Sequence, residues 1–392
     1  MLRHLVVILL LCLCLGILSA QTSPGLTLPL PQFSNPFYDS YSRNFTGTAA
    51  AGRGYTGAAV LGDVSGVLLN PATVLPDSAQ LALEFNIKPP VDAEGYIYSA
   101  RYTSPVPFGM LALNGRLSNH FGVGIVYSMP KSLKLYDFSV LINQGNDIVQ
   151  RFPSYNLHQV SANLSYHQGA WHAGLNLHNQ IHYIDDPIFM HTYDRISDYR
   201  YSLRIQPGWA YSSKHLNLGA SLMPATKFTW DQKYTSYDAV LPLWATAGLN
   251  LHSPNYSLLI DAEFEQQSAV SDSFNDRLSL KAGVEKRQGR ICYRLGYMYI
   301  PEVFSGLIRL PENVSASADS SLFWEGVSPT LLIPENSQHF VSLGFSYYHP
   351  GGSINAALVQ SLASEASKTQ VNLSLSLYLN SFKRKGFLYF DE

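Results

Sequence analysis

Three histidines, His172, His178 and His182, alternate along one predicted strand, and imidazole nitrogens are potential metal ligands. A strand rises about 3.3 Å per residue, so His172 and His178 are roughly 20 Å apart, too far to share one ion. His178 and His182 are still two pleats apart. We therefore interpret the three side chains as polar lining and expect neither a metal nor a cofactor.

Three acidic residues, Asp261, Glu263 and Glu265, also alternate along one strand. General acid or base chemistry needs an isolated, desolvated carboxyl pair, which this repeating pattern lacks. The sequence contains no Gly-x-Ser-x-Gly, phosphate-binding loop or zinc motif. A Ser/His/Asp site spread over separate strands is the remaining catalytic alternative, and we expect that the protein is not an enzyme.

The elements that carry these residues follow a period of two. In residues 371–380 every odd position is a large apolar residue and every even position is polar or Tyr. The same alternation recurs at 171–183, 258–265 and 278–286. Only an extended strand places alternate residues on opposite faces. The chain is therefore predicted to be all-β.

Composition and the N-terminus point towards a membrane. Only 14% of the 392 residues are charged, against about a quarter in soluble proteins, and the net charge of -2 does not support nucleic-acid binding. Residues 1–20 have the basic start, apolar stretch and small-residue end of a signal peptide. No later apolar run could form a membrane helix, so a membrane protein of this sequence must be a closed barrel.

Turn lengths favour the barrel. Short turns near residues 118, 168, 213, 253, 288 and 350 alternate with long loops at 130–155, 185–199, 229–239, 267–275, 301–337 and 363–368. In outer-membrane barrels short turns face the periplasm and long loops face outside. We predict a transmembrane antiparallel β-barrel of about 14 strands over 91–380, with its first strand at 95–103 and both chain ends on the periplasmic side. Residues 79–88 are interpreted as part of a plug or as a continuation of the first strand.

Residues 49–72 join a glycine-rich segment to an Asn-Pro-Ala tripeptide ahead of the first strand. Together with 294–297 and 340–347 in the late strands, this segment resembles the FadL-type transporters of long-chain fatty acids and other hydrophobic compounds, a family related to type IX secretion accessory barrels. The resemblance implies an N-terminal hatch in the lumen at 46–90, preceded by a Pro-rich lead at 21–45. A C-terminal tail at 381–392 follows the barrel.

The resemblance also implies roles for individual residues. The hatch candidates are Gly52, Gly54, Gly57, Asn70, Pro71 and Ala72. Gly122 and Gly124 lie in the segment that matches the family's kinked strand, and they are candidates for a lateral opening. The candidates for capture of ligand in an outer loop are Ile188, Phe189 and Met190.

These features predict a bacterial outer-membrane barrel for passive uptake of hydrophobic small molecules, such as long-chain fatty acids, through a plugged lumen with lateral exit. The expected partners are outer-membrane lipid and a hydrophobic ligand such as a fatty acid, with no nucleic acid. The alternative is a non-transporting accessory barrel that binds a periplasmic, secretion or exported protein partner. A soluble, secreted β-sandwich or propeller that binds sugar is a third interpretation.

Overall fold

The computed structural model describes residues 33–34, 42–75, 79–94, 98–103, 107–142, 147–151, 154–187, 195–231, 236–270, 274–303, 331–332, 337–362 and 368–379. Its helical elements are α1 (Thr48–Gly52), α2 (Gly66–Leu69) and the 3-10 helices Pro71–Thr73 and Gln267–Ala269. Within this described part of the chain, no helix has the length and hydrophobicity to cross a membrane.

The other regular elements are strands. The first ten are β1 (Phe33–Ser34), β2 (Gln80–Ile87), β3 (Val91–Glu94), β4 (Tyr98–Thr103), β5 (Phe108–Arg116), β6 (Phe121–Ile142), β7 (Asp147–Arg151), β8 (Ser154–Gln168), β9 (Trp171–Pro187) and β10 (Arg195–Ser212). The rest are β11 (Leu216–Met223), β12 (Thr226–Asp231), β13 (Ser236–Leu241), β14 (Trp244–His252), β15 (Tyr256–Glu265), β16 (Arg277–Gln288), β17 (Ile291–Ile300), β18 (Leu331–Leu332), β19 (Gln338–His349), β20 (Gly352–Ser361) and β21 (Thr369–Tyr378).

Fourteen of the described strands form a closed antiparallel barrel. The first of them, β2, pairs with β5 on one side and with the last strand, β21, on the other, which closes the ring. Between β5 and β21 the wall runs through β6, β8 to β11, β14 to β17, β19 and β20. Beyond the ring, the last part of β6 pairs with β4 on one edge and with β7 on the other. The strand β3 pairs with β4. The predicted all-β barrel is therefore confirmed.

Two sequence-based assignments near the first strand are wrong. The strand β2 lies inside the segment 79–88 and belongs to the barrel wall, neither to a plug nor to the next strand. The segment 95–103 contains β4, which pairs with β3 and β6 outside the ring. Alternation identifies a strand and its two faces, but it carries no information about which strands are neighbours. The lumenal segment consequently ends before β2 rather than at residue 90.

Large apolar side chains cover the outside of the wall. Exposed examples on successive strands are Leu81, Phe85, Leu111, Leu113, Ile125, Leu164, Leu175, Leu203, Leu280, Leu295, Leu343, Leu358 and Leu373. Most of the positions between them face inwards, and many of these are polar, as with Ser279 and Lys281 on β16. Soluble proteins rarely expose so large an apolar surface. This distribution is typical of a membrane-spanning barrel and argues against the soluble sandwich.

Aromatic side chains lie around the end of the barrel that carries the short turns. The exposed members of this girdle are Phe121, Tyr166, Trp171, Trp209, Tyr256, Tyr293, Phe345 and Tyr347. Amphipathic aromatic rings prefer the boundary between hydrocarbon and water. The girdle therefore marks one interface of the membrane, the one at the short turns.

A charge placed in the middle of the apolar belt is expected to destabilise the barrel. Leu343 is 57% exposed near the centre of β19, so Leu343→Arg should cost about 2–4 kcal/mol in lipid. Leu117, in a short turn and 67% exposed, provides the control Leu117→Arg, which should have little effect. Denaturant unfolding in lipid vesicles measures both, and equal stability of the two variants would contradict the membrane placement of this belt.

Candidate functional site

Residues 42–75, called the hatch below, fill the lumen. On one side Phe45 packs edge-to-face on Tyr55 and on Phe340 of β19, with ring centroids 5.3 Å apart in both pairs. On the other side the hatch residues Val64, Val67 and Val74 form an apolar cluster with wall residues of β2, β5 and β6. Those wall residues are Ala82, Met110, Ala112 and Val126. The hatch therefore contacts the wall through two separate apolar clusters.

The predicted hatch glycines lie where the hatch is most crowded. A Cβ added to Gly52 would lie 2.7 Å from the Cα of Gly344, closer than real contacts allow. Gly54 has φ of +73°, a left-handed conformation that favours glycine. The amide of Gly57 donates a hydrogen bond of 2.7 Å to Asp261. All three positions are buried within the lumen.

The wall carries glycines that match those of the hatch, and none of them was predicted to contact it, since Gly124 was a candidate only for the lateral opening. Nine wall strands each contribute one glycine at which an added Cβ would meet the hatch or a side chain that holds it: Gly109, Gly124, Gly174, Gly208, Gly219, Gly248, Gly283, Gly296 and Gly344. Most of them meet hatch backbone atoms directly. Glycine weakens a strand and often marks a close backbone approach. Repeated glycines at lumen-facing strand positions were the signal available in the sequence.

Two wall carboxylates bind the backbone of the hatch. Asp261 Oδ2 on β15 accepts hydrogen bonds from the amides of Gly57 at 2.7 Å and Ala58 at 2.9 Å. Glu84 on β2 accepts from the amides of Gly47 at 2.9 Å and Thr48 at 2.6 Å, at the start of α1. Backbone amides inside the lumen have lost their water, so these acceptors satisfy groups that would otherwise be costly to bury.

An ion cluster fixes the middle of the hatch to β16 and β17. Arg53 pairs with Asp63 within the hatch at 2.6 Å and with Glu285 of the wall at 3.2 Å, and Glu285 also binds Arg294 at 2.6 Å. Burial by itself would raise the pKa of Asp63, but the Arg53 guanidinium and the hydrogen bonds from Ser65 outweigh it and lower that pKa. The carboxylate is therefore ionised in the folded hatch at neutral pH.

A second ion cluster holds the start of the hatch. Arg43 binds Glu263 of β15 through both oxygens, at 2.8 and 3.2 Å, and Lys281 of β16 binds the same carboxylate. Glu263 is only 1% exposed. Burial raises the pKa of the neighbouring Tyr55 to about 12, so this phenol stays neutral between Arg43 and Lys281. A buried carboxylate left without its cations would be strongly destabilising.

The Asn-Pro-Ala tripeptide contacts the wall at β8 to β11. Asn70 Nδ2 donates to the carbonyl of Trp209 at 3.0 Å, and Asn70 Oδ1 accepts from the amide of Ala72 at 3.1 Å. The carbonyl of Pro71 accepts from Asn163 at 3.2 Å. Asn70 thus begins the 3-10 helix and joins it to the wall. The structure places all six predicted hatch residues in the lumen.

The wall is irregular on β6, but not at the two predicted glycines. Gly122 and Gly124 pair continuously with β5 and with β8. The register with β8 shifts further along, between Ser128 and Lys131. Pro130 lies inside this bulge, and proline has no amide hydrogen with which to continue a ladder. The strand β6 is therefore irregular at Pro130 rather than at Gly122 or Gly124, and the β2–β5 ladder has a further register shift between Glu84 and Phe85.

A cavity of about 180 Å³ lies beside this bulge and in contact with the hatch. Its apolar lining includes Leu68, Leu157, Leu241 and Trp244, and its charged lining comprises Arg43, Lys131, Arg204, Arg277 and Glu265. Arg204 is 8% exposed. Its Nη2 donates to backbone carbonyls, including that of Pro242 at 2.6 Å, while its Nε has no partner among the described residues. The cavity thus combines apolar walls with an excess of positive charge.

His172, His178 and His182 on β9 line the lumen. His178 bonds Ser161 at 2.7 Å and Gln206 at 2.8 Å through its two ring nitrogens. His182 similarly bonds Tyr155 and Ser202, both at 2.9 Å. No group of three potential metal ligands occurs among the residues with described positions. The proposed capture residues Ile188, Phe189 and Met190 lie outside those residues.

Comparison with solved structures identifies the fold. A FadL homologue of Pseudomonas aeruginosa superimposes with a TM-score of 0.63 at 14% identity, over 85% of this chain and 98% of that one. The Pseudomonas putida toluene transporter TodX gives 0.62 at 13% identity, over 87% and 99% of the two chains. The Ralstonia pickettii toluene transporter TbuX gives 0.61 at 14% identity, over 86% and 98%. No protein-family model and no curated protein matches the chain. The chain has the FadL-type barrel fold.

Removal of the Asp261 carboxylate is expected to loosen the hatch. Asp261→Ala leaves the amides of Gly57 and Ala58 without an acceptor, at a cost of about 2 kcal/mol. Ion conductance across a planar bilayer should rise because the plug opens more often. The exposed Asp276 provides the control Asp276→Ala. A folded Asp261→Ala barrel as closed as the wild type would refute this role.

Acid is expected to weaken the Arg53–Asp63 attachment. The folded pKa of Asp63 is lowered below its unfolded value of about 3.9, so the carboxylate stabilises the hatch above that pH, and the effect is lost as pH falls through the folded pKa. Wild-type conductance should therefore increase below about pH 4. Asp63→Asn should show a smaller increase, and an unchanged profile would argue against this contribution.

Proposed function

We propose that this protein is a bacterial outer-membrane channel for passive uptake of hydrophobic small molecules. Its apolar belt would contact outer-membrane lipid, and its lumen is plugged by a hatch. The observation that carries the proposal is the cavity that lies beside the β6 bulge and in contact with the hatch. Similarity to a FadL homologue and to two toluene transporters supports the same class of function.

The cavity chemistry favours an amphipathic ligand with an anionic group, such as a long-chain fatty acid. Four cations and one carboxylate line the cavity within the described part of the chain. Arg204 forms no ion pair there, and its Nε lacks an acceptor. A carboxylate head group would supply that acceptor, since guanidinium groups bind carboxylates through paired hydrogen bonds. Leu157, Leu241 and Trp244 would contact the start of the acyl chain.

The cavity is small, at about 180 Å³. It therefore suits a head group and the first methylenes of a chain better than a complete long-chain fatty acid. In this proposal the ligand leaves sideways through the wall at β6. The bulge between Ser128 and Lys131 is the nearest irregularity, and both Pro130 and Lys131 line the cavity. Lateral exit would deliver an apolar ligand into the membrane without passage through water.

Replacement of Arg204 is expected to weaken binding of fatty acids and to leave passage of uncharged hydrocarbons unchanged. Arg204→Gln should reduce the affinity for oleate by about tenfold or more, because a hydrogen bond to a charged group contributes about 1.5–3 kcal/mol. The same variant should admit toluene at the wild-type rate. Oleate binding to the detergent-solubilised barrel and toluene flux into proteoliposomes measure the two effects.

Arg116, which is exposed next to a short turn, provides the matched control Arg116→Gln. This control should leave both ligands unaffected. Equal loss of oleate and toluene in Arg204→Gln would indicate general damage to the channel. Absence of any flux above that of empty liposomes in the wild type would favour the accessory-barrel alternative.

A further inference from the structure

The direction in which the chain passes through the lumen is set by contacts at the two ends of the hatch. At its start, the carbonyl of Ser42 accepts from Lys88 at 3.5 Å, and the carbonyl of Arg43 accepts from Lys368. Lys88 follows the end of β2 and Lys368 precedes β21, so both lie at the end of the barrel opposite the short turns. The hatch therefore starts at the long-loop end.

At the other end, the carbonyl of Val74 is bound by Ser165 and His167, both at 2.7 Å. These two residues lie at the end of β8, next to the short turn before Trp171. The hatch therefore crosses the lumen from the long-loop end to the short-turn end. The start of the hatch at the long-loop end differs from the expectation that both chain ends lie on the periplasmic side.

A second contact places residues before the hatch at the same end. Phe33 and Ser34 pair with Leu332 and Leu331 as the two-stranded sheet of β1 and β18. The strand β18 lies in the connection between β17 and β19. Because β17 runs away from the short turn at its start, this connection is on the long-loop side. Two independent contacts thus agree on the entry point.

Residues 42–46, called the strap below, cover the irregular part of β6 from inside. The amide of Asn44 donates to Pro130 at 2.7 Å, its side chain donates to Met129 at 2.6 Å, and the amide of Ser132 donates to Ser42 at 2.9 Å. The ladder of β6 with β5 reaches Ser128, and its ladder with β4 starts at Lys134. The strap therefore supplies partners to the stretch of β6 between those two ladders.

The strap is also fixed to the opposite wall. Arg43 reaches Glu263 of β15 through two hydrogen bonds, so the strap is bound both to β6 and to β15. Arg43, Asn44 and Thr46 line the same cavity as Pro130 and Lys131. The strap and the bulge thus border the same cavity.

We propose that β1 and the strap both lie at the outer face of the barrel, so that the chain reaches the hatch from that face. This topology rests on the outer-membrane orientation in the proposed function. It places β1 and β18 on the cell-surface side of the membrane.

Cysteine labelling in intact cells tests the proposal. Cys12 and Cys14 lie in the predicted signal peptide, and Cys292 is buried. Labelling of the native cysteines should therefore be low. Ser34→Cys should react with a membrane-impermeant maleimide polymer and shift on a gel without permeabilisation. Ala269→Cys, exposed in the connection between β15 and β16, is the outer control, and Lys214→Cys, exposed in a short turn, is the periplasmic control.

Labelling of Ser34→Cys only after permeabilisation, as for Lys214→Cys, would overturn the proposal. If Ser34→Cys stays unreactive in both conditions, oxidation of the double variant Ser34→Cys/Leu331→Cys decides, because these residues are direct strand partners. A disulfide would support the outer entry, and its absence would refute it. Inverted labelling of the two controls would instead refute the membrane orientation, and the result is independent of whether any ligand is transported.

Discussion

The plugged lumen depends on the close approach of two backbones, that of the hatch and that of the wall. Gly52 lies against Gly344, and Gly54 lies against Gly296. Side chains at these positions would separate the two layers and remove the hydrogen bonds between them. Asp261 and Glu84 complete the contact by accepting hatch amides. Without such acceptors, a segment with so little regular structure could not be buried inside a barrel.

The attachment of the hatch is uneven around the barrel. On the side of β15 to β17 it is held by buried ion pairs centred on Glu263 and Glu285. On the side of β5 and β6 it is held by the apolar cluster that contains Val67 and Val126 and by hydrogen bonds of the strap, without a buried ion pair among the described residues. Ion pairs need a fixed geometry and strongly resist the loss of one partner, whereas apolar contacts are non-directional. The side with the apolar contacts is also the side of the cavity and the β6 bulge.

The barrel inverts the usual distribution of residues, and this inversion explains its interior. Since the outer surface is apolar, the polar side chains face the lumen, where they must find partners in one another or in the hatch. The histidines illustrate the result: His178 and His182 use both ring nitrogens in hydrogen bonds to neighbouring strands. Arg204 is one of several buried residues with an unsatisfied polar atom, and its Nε belongs to a residue that lines the cavity.

Alternation of residue types predicted the strands, their two faces and the barrel, because alternation is a property of short segments, whereas a lumenal position for Gly52, Gly54 and Asn70 was implied only by the resemblance to FadL-type transporters. The neighbours of each strand emerged only from the tertiary structure, in which β2 is the first strand of the ring and β4 lies outside it. The tertiary structure also placed the bulge at Pro130 rather than at Gly122, and paired Arg43 with Glu263 across 220 positions of sequence. Such pairings depend on ring closure and on the path of the hatch, which bring together residues that no local pattern connects.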